Sequence, residues 1–301
     1  MICSQLSGKH FCDCINWKGV CIYQEYHDNK DKVNEDRKEF TCKILNKKYL
    51  ETNVISLTIL VSHKLAQNLY AAGSYVFMRN PEAISYYDTP ISIMDVNLEE
   101  NTIKVIIEIK GIKTKSIEKL SEDEKVIIRG PYWNGVFGLK NIAKTTEGHS
   151  LVVCSGIGMA PMIPVIKKLY SNGNKVTVIL DKAGYKNIFI EEDLKKYDVE
   201  LIECDLLVSG ELTKEAKGII EEFIESKSIN LIHCSGANIL IFKLIELNNK
   251  RIKLSCCNNA KLCCGEGVCG SCTERYEGHK KKRLCKVQAE PNSIFEGRRL
   301  I

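Results

Sequence analysis

The sequence predicts an α+β protein of several domains, with an antiparallel β-barrel, then an α/β unit built on a parallel sheet, then a short cysteine-rich segment. Short apolar stretches separated by turn residues fill the first half, as in all-β barrels. From residue 151, strand-like and helix-like stretches alternate. Seven cysteines fall between Cys256 and Cys285. We therefore expect a cysteine-rich extension at 1–37, a barrel domain at 38–148, an α/β domain at 149–252 and a final segment at 253–301.

Composition narrows the class of protein. The chain has 301 residues, a net charge of +5 and ordinary apolar and charged fractions, which favours neither nucleic acid nor membrane as a partner. It has no apolar run long enough to span a bilayer, and its N-terminus lacks the pattern of a signal peptide. We therefore expect a cytoplasmic protein. Fifteen cysteines in such a chain favour metal or redox chemistry over disulfides.

The barrel domain is predicted from strand-like stretches at 41–50, 54–61, 74–79, 91–95, 103–110 and 125–129. Gly- and Pro-containing turns lie at strand ends, at 89–93, 111–114 and 129–138. Backbone N–H groups in such turns are suited to binding phosphates or a ring system. Tyr132 and Trp133 either stack on such a ligand or simply pack.

The α/β domain contains a candidate phosphate-binding loop. Gly156 and Gly158 lie between a strand at 151–155 and an apolar-periodic helix, where the backbone can approach a pyrophosphate at the helix N-terminus. Pro161 replaces the third glycine of G-x-G-x-x-G, so a purely structural turn is the alternative. The stretch 234–236 ends a later strand, at 230–235, and a buried core cysteine is the alternative interpretation of Cys234. Because parallel strands end at one sheet edge, we expect both loops to face one crevice.

The C-terminal cysteines have the spacing of a plant-type [2Fe–2S] site. C-x4-C-x2-C is followed by a fourth cysteine after twelve residues, and three glycines within this loop favour a tight turn around two irons. Zinc and ordinary thiols are the alternatives, although only one C-x2-C knuckle is present. The predicted ligands are Cys264, Cys269, Cys272 and Cys285.

Two further features stay open. The N-terminal extension has four closely spaced cysteines, which indicate either a second metal or iron–sulfur site or a reducing tail; they are Cys3, Cys12, Cys14 and Cys21. The basic run 279–283 is either a solvated hairpin face or a docking surface for an acidic partner.

Taken in order, these motifs resemble those of one family over residues 38–301. The P-x-S-I stretch at 90–93, the G-x-G-x-A-P stretch at 156–161 and the C-terminal cysteines resemble the electron-transfer subunit of class B dihydroorotate dehydrogenase, within the ferredoxin–NADP reductase superfamily. The flavin subunits of sulfide dehydrogenase and of NADH-dependent ferredoxin–NADP oxidoreductase are similar. The resemblance implies FAD in the barrel domain, NAD(H) or NADP(H) in the α/β domain, and [2Fe–2S] in the final segment.

The resemblance also implies site residues. Those for the flavin ring and ribityl chain are Thr89, Pro90, Ile91, Ser92 and Ile93, and those for its pyrophosphate are Gly111 and Thr114. Those for the nicotinamide nucleotide loop are Gly156, Gly158, Ala160 and Pro161, and those at the nicotinamide edge are Cys234, as the catalytic candidate, Ser235 and Gly236. Two positions depart from the family. Thr89 stands where the family usually has arginine, and Asp181 favours NAD(H) by repelling a 2′-phosphate.

The resemblance implies an oxidoreductase subunit that moves electrons between NAD(P)(H), FAD and the cluster. Its partner is then a catalytic subunit of the dihydroorotate dehydrogenase or glutamate synthase type. The alternative is a non-catalytic metal-binding or scaffold subunit with degenerate reductase domains, for which Thr89 is the only support.

Overall fold

Two β-sheets dominate the protein, of which the computed structural model describes residues 22–28, 30–31, 37–226, 228–275 and 281–295. The four N-terminal cysteines of the predicted second metal site lie outside the described residues. A short helix, α1 (Ile22–Asp28), precedes the first sheet. No helix within the described ranges is long and apolar enough to cross a bilayer.

The first sheet is antiparallel and has the strand order β4-β3-β7-β1-β2-β6-β5. Its strands are β1 (Glu39–Glu51), β2 (Val54–Leu60), β3 (Tyr75–Arg79), β4 (Thr89–Ser92), β5 (Asp95–Asn97), β6 (Thr102–Glu108) and β7 (Lys125–Tyr132). Two helices not predicted from the sequence accompany them, α2 (His63–Leu69) and α3 (Ile112–Glu118).

The predicted strands of this region are confirmed, with one difference. The expected strand 91–95 is divided between β4 and β5, because Ile93 donates its backbone N–H to Ser74 O at 3.0 Å and Met94 to Lys104 O at 2.9 Å. The chain itself therefore joins the two edges of the sheet. Within the described residues, β4 and β5 do not pair with each other, so the expected barrel is an antiparallel sheet whose edges stay unpaired.

The second sheet has the order β11-β10-β9-β14-β15-β8 and is parallel except for β8. Its strands are β8 (Val136–Phe137), β9 (His149–Ser155), β10 (Lys175–Asp181), β11 (Glu200–Glu203), β14 (Leu231–Ser235) and β15 (Lys253–Cys257). Two short strands, β12 (Leu207–Val208) and β13 (Glu211–Leu212), form a separate hairpin. The helices are α4 (Leu139–Lys144), α5 (Met159–Ser171), α6 (Glu191–Leu194), α7 (Lys214–Glu225) and α8 (Asn238–Asn248).

The second sheet extends across the boundaries expected from the sequence. β8 comes from the predicted barrel domain and β15 from the predicted cysteine-rich segment, and these two strands pair with each other. Polar contacts also join the sheets: Lys104 Nζ lies 3.4 Å from the Asp193 carboxylate. The Glu51 carboxylate accepts the backbone N–H of Lys186 at 2.8 Å.

The C-terminal segment contains a small hairpin. β16 (Thr273–Arg275) pairs with β17 (Lys281–Arg283), and α9 (Pro291–Phe295) follows. The chain therefore returns to Cys285 by way of a hairpin. Asn134 and Asn258 fix this return: both side-chain amides donate to Leu284 O, at 2.5 and 3.0 Å.

Candidate cofactor-binding cavity and cysteine loop

A cavity of about 980 Å³ lies where the two sheets meet. Its wall combines β4, the start of α3, and the carboxyl ends of β9 and β14. The expected crevice therefore exists, and most of the sequence-predicted binding residues line it. These are Thr89, Pro90, Ile91, Ser92, Gly111, Thr114, Gly156, Gly158, Ala160, Pro161, Ser235 and Gly236.

The loop after β9 approaches β14 closely because it carries glycines. Gly156 has a φ of +57°, a conformation that glycine adopts without strain. A Cβ atom added at Gly158 would lie 2.4 Å from Ser235 O. The first turn of α5 follows directly and places the positive end of the helix dipole at this loop, although Met159 donates its N–H to Gly156 O and Pro161 has none. This end of the cavity is therefore suited to a phosphate group.

Two predicted residues do not line the cavity. Cys234 is fully buried in the core, where burial and the neighbouring Cys257, Cys256 and Cys154 raise the pKa of its thiol. Ile93 is 2% exposed and belongs to the core below β4. Position therefore gives no support to Cys234 as the catalytic residue at the nicotinamide edge.

Another thiol, which sequence reasoning missed, does line the cavity. Cys257 Sγ donates to Gly236 O at 3.5 Å and lies 3.3 Å from Asn259 Oδ1. Burial raises the pKa of this thiol despite its hydrogen bonds. The available signal was the position of Cys257 at the carboxyl end of β15, a parallel strand that ends at the same sheet edge.

Lysines supply positive charge on the side of the cavity that the first sheet forms. Lys110 and Lys113 both line it. Lys113 Nζ donates to Asp88 O at 3.3 Å and lies 4.9 Å from the centre of the Tyr86 ring. A Cβ atom added at Gly111 would meet no atom within 4 Å, so the backbone there faces open space. Lys113 thus brings a cation close to Thr89, which stands where the family usually has arginine.

The cysteine loop, which we define as residues 263–272 together with Cys285, is anchored to the first sheet by aromatic residues. Tyr75, Phe77 and Tyr132 form a buried cluster, and a Cβ atom added at Gly265 would lie 2.6 Å from Tyr132 and 2.9 Å from Phe77. Tyr132 therefore packs under the cysteine loop. Trp133 Nε1 donates to Asn68 O at 2.7 Å, and neither ring lines the cavity, which favours the packing alternative for both.

Within the described residues, no three His, Cys, Asp or Glu side chains are grouped to hold one metal ion. The four candidate thiols instead form two pairs. The Cys269 thiol lies within hydrogen-bonding reach of Cys264 and also of Cys263, and the Cys285 thiol lies within reach of Cys272. A two-iron cluster with four cysteine ligands needs two protein thiolates for each iron, so two pairs at the ends of one loop fit that group.

Backbone hydrogen bonds distinguish Cys264 from the adjacent Cys263. The N–H groups of Glu266 and Cys269 point at Cys264 Sγ, at 3.3 and 3.5 Å. Burial by itself raises the pKa of Cys264, but these backbone hydrogen bonds outweigh it, so the pKa lies below its ordinary value. For Cys263, burial and the neighbouring Cys269 raise the pKa. The thiolate is therefore stabilised at the position that the spacing predicted.

A second, acidic cavity of about 510 Å³ adjoins the first and shares Ala183 and Tyr185 with it. The Asp181 carboxylate lies at the end of β10, where it accepts the backbone N–H of Ala183 at 2.6 Å and of Leu206 at 3.2 Å. The residues that line this cavity are Asp181, Lys182, Ala183, Gly184, Tyr185, Glu203, Cys204, Asp205 and Glu215.

Comparisons with known proteins agree with this architecture. The model of a family described as an FAD-binding domain matches residues 39–182. The electron transfer subunit of dihydroorotate dehydrogenase B (NAD(+)) from Streptococcus mutans is 26% identical over 232 residues, which are 76% of this chain and 86% of that protein. The same subunit from Clostridium acetobutylicum is 28% identical over 231 residues, or 76% of this chain and 85% of that protein.

A solved structure of an NADH-dependent reduced ferredoxin–NADP oxidoreductase has the same fold. It superimposes with a TM-score of 0.65 at 18% identity, over 86% of this chain and 88% of that chain. The chain is therefore similar in sequence to these electron-transfer subunits and in fold to this oxidoreductase. The resemblance seen in the sequence is thus confirmed, and the match to an FAD-binding domain agrees with an oxidoreductase.

Proposed function

We propose that this subunit moves electrons between a nicotinamide nucleotide, FAD and a [2Fe–2S] cluster, and exchanges them with a catalytic subunit of the dihydroorotate dehydrogenase type. One observation carries this proposal: turns of the first sheet and the carboxyl ends of β9, β14 and β15 line the same cavity. The scaffold alternative is weakened by Lys113, which supplies a cation despite the threonine at position 89. The partner type is proposed from the names of the relatives.

FAD fits the side of the cavity that the first sheet forms. We assign Pro90, Ile91 and Ser92 to the flavin ring and its ribityl chain, because they line the wall on β4. Gly111, Lys113 and Thr114 then hold the pyrophosphate with backbone and ammonium groups. Bound FAD supplies the exchange between two-electron hydride transfer and one-electron transfer, while the protein positions it.

The nicotinamide nucleotide fits the α/β side. Gly156, Gly158 and the first turn of α5 are assigned to its pyrophosphate, since an anion is favoured at a helix N-terminus. Gly236 and Cys257 are assigned to the nicotinamide ring. The acidic second cavity would receive the adenosine end, and its carboxylates repel a 2′-phosphate, which favours NAD(H) over NADP(H).

The cysteine loop is assigned to the cluster and to the surface from which electrons leave. Cys264 and Cys269 would hold one iron, and Cys272 and Cys285 the other. Val268, between the ligands, is 67% exposed, so a partner can approach the loop directly. The partner is therefore expected to bind on this side of the subunit.

The test is anaerobic purification of the full chain, quantification of flavin, iron and zinc, and an EPR spectrum after NADH addition. We expect about one FAD, at least two iron atoms and a reduced [2Fe–2S] signal. Iron beyond about two atoms per chain would assign the N-terminal cysteines to a second cluster. Zinc without flavin would refute the electron-transfer proposal and support the scaffold alternative.

Cys269→Ala tests the electron route, with Cys263→Ala as the matched control on the same loop. Cys269→Ala should abolish the EPR signal and the transfer to the partner while NADH still bleaches the flavin. Cys263→Ala should retain all three properties. Transfer at the normal rate by Cys269→Ala would refute the route.

A further inference from the structure

Arg129 connects the first sheet to the cysteine loop. Its Nη1 donates to the backbone carbonyl oxygen of Cys264 at 3.1 Å, and its Nε donates to the Asp88 carboxylate at 2.9 Å. The Arg129 side chain is 16% exposed and that of Asp88 8%. This guanidinium is therefore fixed at one end by a carboxylate and at the other by the first candidate ligand residue.

The aromatic cluster under the loop orients the same guanidinium. Its central carbon lies 4.5 Å from the centre of the Phe77 ring, and Nη1 also donates to the Tyr132 hydroxyl. These are the two rings on which Gly265 is seated. Arg129, Phe77 and Tyr132 thus form one support beneath the residues that follow Cys264.

Arg129 is the first of four side chains whose charges alternate in sign with distance from the cysteine loop. Asp88 is shared with Arg79, whose Nη1 donates to it at 2.8 Å. Arg79 in turn pairs with Glu39 at 2.6 Å, farther along the sheet. Of these four groups, only Arg129 has a hydrogen bond to the described part of the cysteine loop. The cysteine loop therefore meets a positive charge first and the Asp88 carboxylate behind it.

We propose that Arg129 is a positioning residue that fixes the cysteine loop and raises the reduction potential of the cluster held there, with Asp88 lowering that potential from behind. The proposal rests on the proposed function, in which this loop holds [2Fe–2S]. One-electron reduction, with dithionite as the donor in the test, converts one ferric ion to ferrous and adds one negative charge. A nearby cation stabilises that added charge, and net charge and hydrogen bonding are established means of tuning such potentials.

The experiment is a potentiometric titration followed by EPR, on the anaerobically purified full chain. Arg129→Gln should make one-electron reduction about tenfold less favourable, which is about 59 mV for a one-electron couple. Asp88→Asn should shift the potential in the opposite direction, and Arg129→Lys, which keeps the charge, should stay near the wild type. Lys125→Gln, an exposed charge at the other end of β7, is the matched control and should leave the potential unchanged.

The outcomes separate this proposal from the one on which it rests. A loaded Arg129→Gln chain with the wild-type potential, or variants at Arg129 and Asp88 that shift it in the same direction, would overturn the role of Arg129 alone. If Arg129→Gln fails to retain the cluster, Asp88→Asn decides: a raised potential supports the proposal, and an unchanged or lowered one overturns it. A wild-type chain without a [2Fe–2S] signal overturns both proposals.

Discussion

The Ser235 hydroxyl donates to the carbonyl oxygen of Gly158 at 2.7 Å, and this bond joins the ends of two neighbouring strands at the cavity. Ser235 pairs with Cys154 in the sheet, just before the glycine-containing loop begins. The bond closes only because residue 158 has no side chain, since the nearest atom to an added Cβ is Ser235 O. The loop proposed to bind the pyrophosphate and the strand end proposed to lie at the nicotinamide ring are therefore held in one fixed geometry.

Gly158→Ala should weaken nucleotide binding and lower the free energy of unfolding by roughly 1–3 kcal/mol, as overpacking does. The added methyl group would lie 2.4 Å from backbone that cannot rotate away. The measurements are the affinity for NADH, by isothermal titration calorimetry, and the urea midpoint.

Gly218→Ala is the matched control for that substitution. Gly218 lies in the interior of α7, and a Cβ atom there meets nothing within 4 Å. The control should therefore stabilise the fold by about 0.5–1 kcal/mol and leave NADH affinity unchanged. Equal NADH affinity in Gly158→Ala and the wild type would contradict the role of this loop.

Lys113→Gln should weaken FAD binding about tenfold, because it removes the ammonium group assigned to the pyrophosphate. Lys115→Gln, on the same short helix but outside the cavity wall, should bind FAD as the wild type does. FAD titration into apoprotein, followed by quenching of flavin fluorescence, measures both. Identical affinities would leave Lys113 without a part in holding FAD.

Features set by local pattern were predictable from the sequence. Alternating apolar residues marked every strand of the first sheet, although the hydrogen bonds of Ile93 and Met94 divided one stretch into two strands. The glycines at 156 and 158 and the cysteine spacing also marked their loops, because tight turns restrict residue type.

Features set by tertiary contact were not predictable. Cys234 and Cys257 both lie at the ends of parallel strands, and which of the two faces the cavity depends on the register of its strand. Arg129 and Cys264 are separated by 135 residues, and nothing in the sequence near either one indicates the other. The strand β8 has only two residues and exists because β15 is there to pair with it.

His233 should make the fold less stable in mild acid. Burial lowers the pKa of this imidazole from 6.5 to about 3, and its Nε2 has no hydrogen-bond partner among the residues that the structure describes. Between these values the unfolded chain binds a proton that the folded chain does not. The free energy of unfolding is therefore not reduced by His233 above about pH 6.5. Below that pH it falls on acidification, by up to roughly 1.4 kcal/mol per pH unit.

Urea denaturation between about pH 7 and about pH 5 measures this dependence. His233→Gln should flatten the slope of stability against pH, whatever its effect at neutral pH. His63→Gln, at an exposed histidine, should keep the wild-type slope. A wild-type slope in His233→Gln would mean that other groups account for the acid sensitivity.

Nucleotide preference should depend on the carboxylates of the second cavity. Glu203 and Asp205 are exposed there and face the region assigned to the adenosine end. The double variant Glu203→Gln/Asp205→Asn removes two negative charges, so kcat/KM for NADPH should rise about tenfold while that for NADH changes little. Flavin reduction under anaerobic conditions measures both values.

The control is Glu222→Gln on the exposed face of α7, which removes a charge outside both cavities and should leave the ratio of the two kcat/KM values unchanged. Because the effect is electrostatic and the carboxylates are exposed, the gain for NADPH should shrink as salt is added. A double variant with the wild-type ratio at low salt would show that the 2′-phosphate lies elsewhere, and the assignment of the second cavity to the adenosine end would then be wrong.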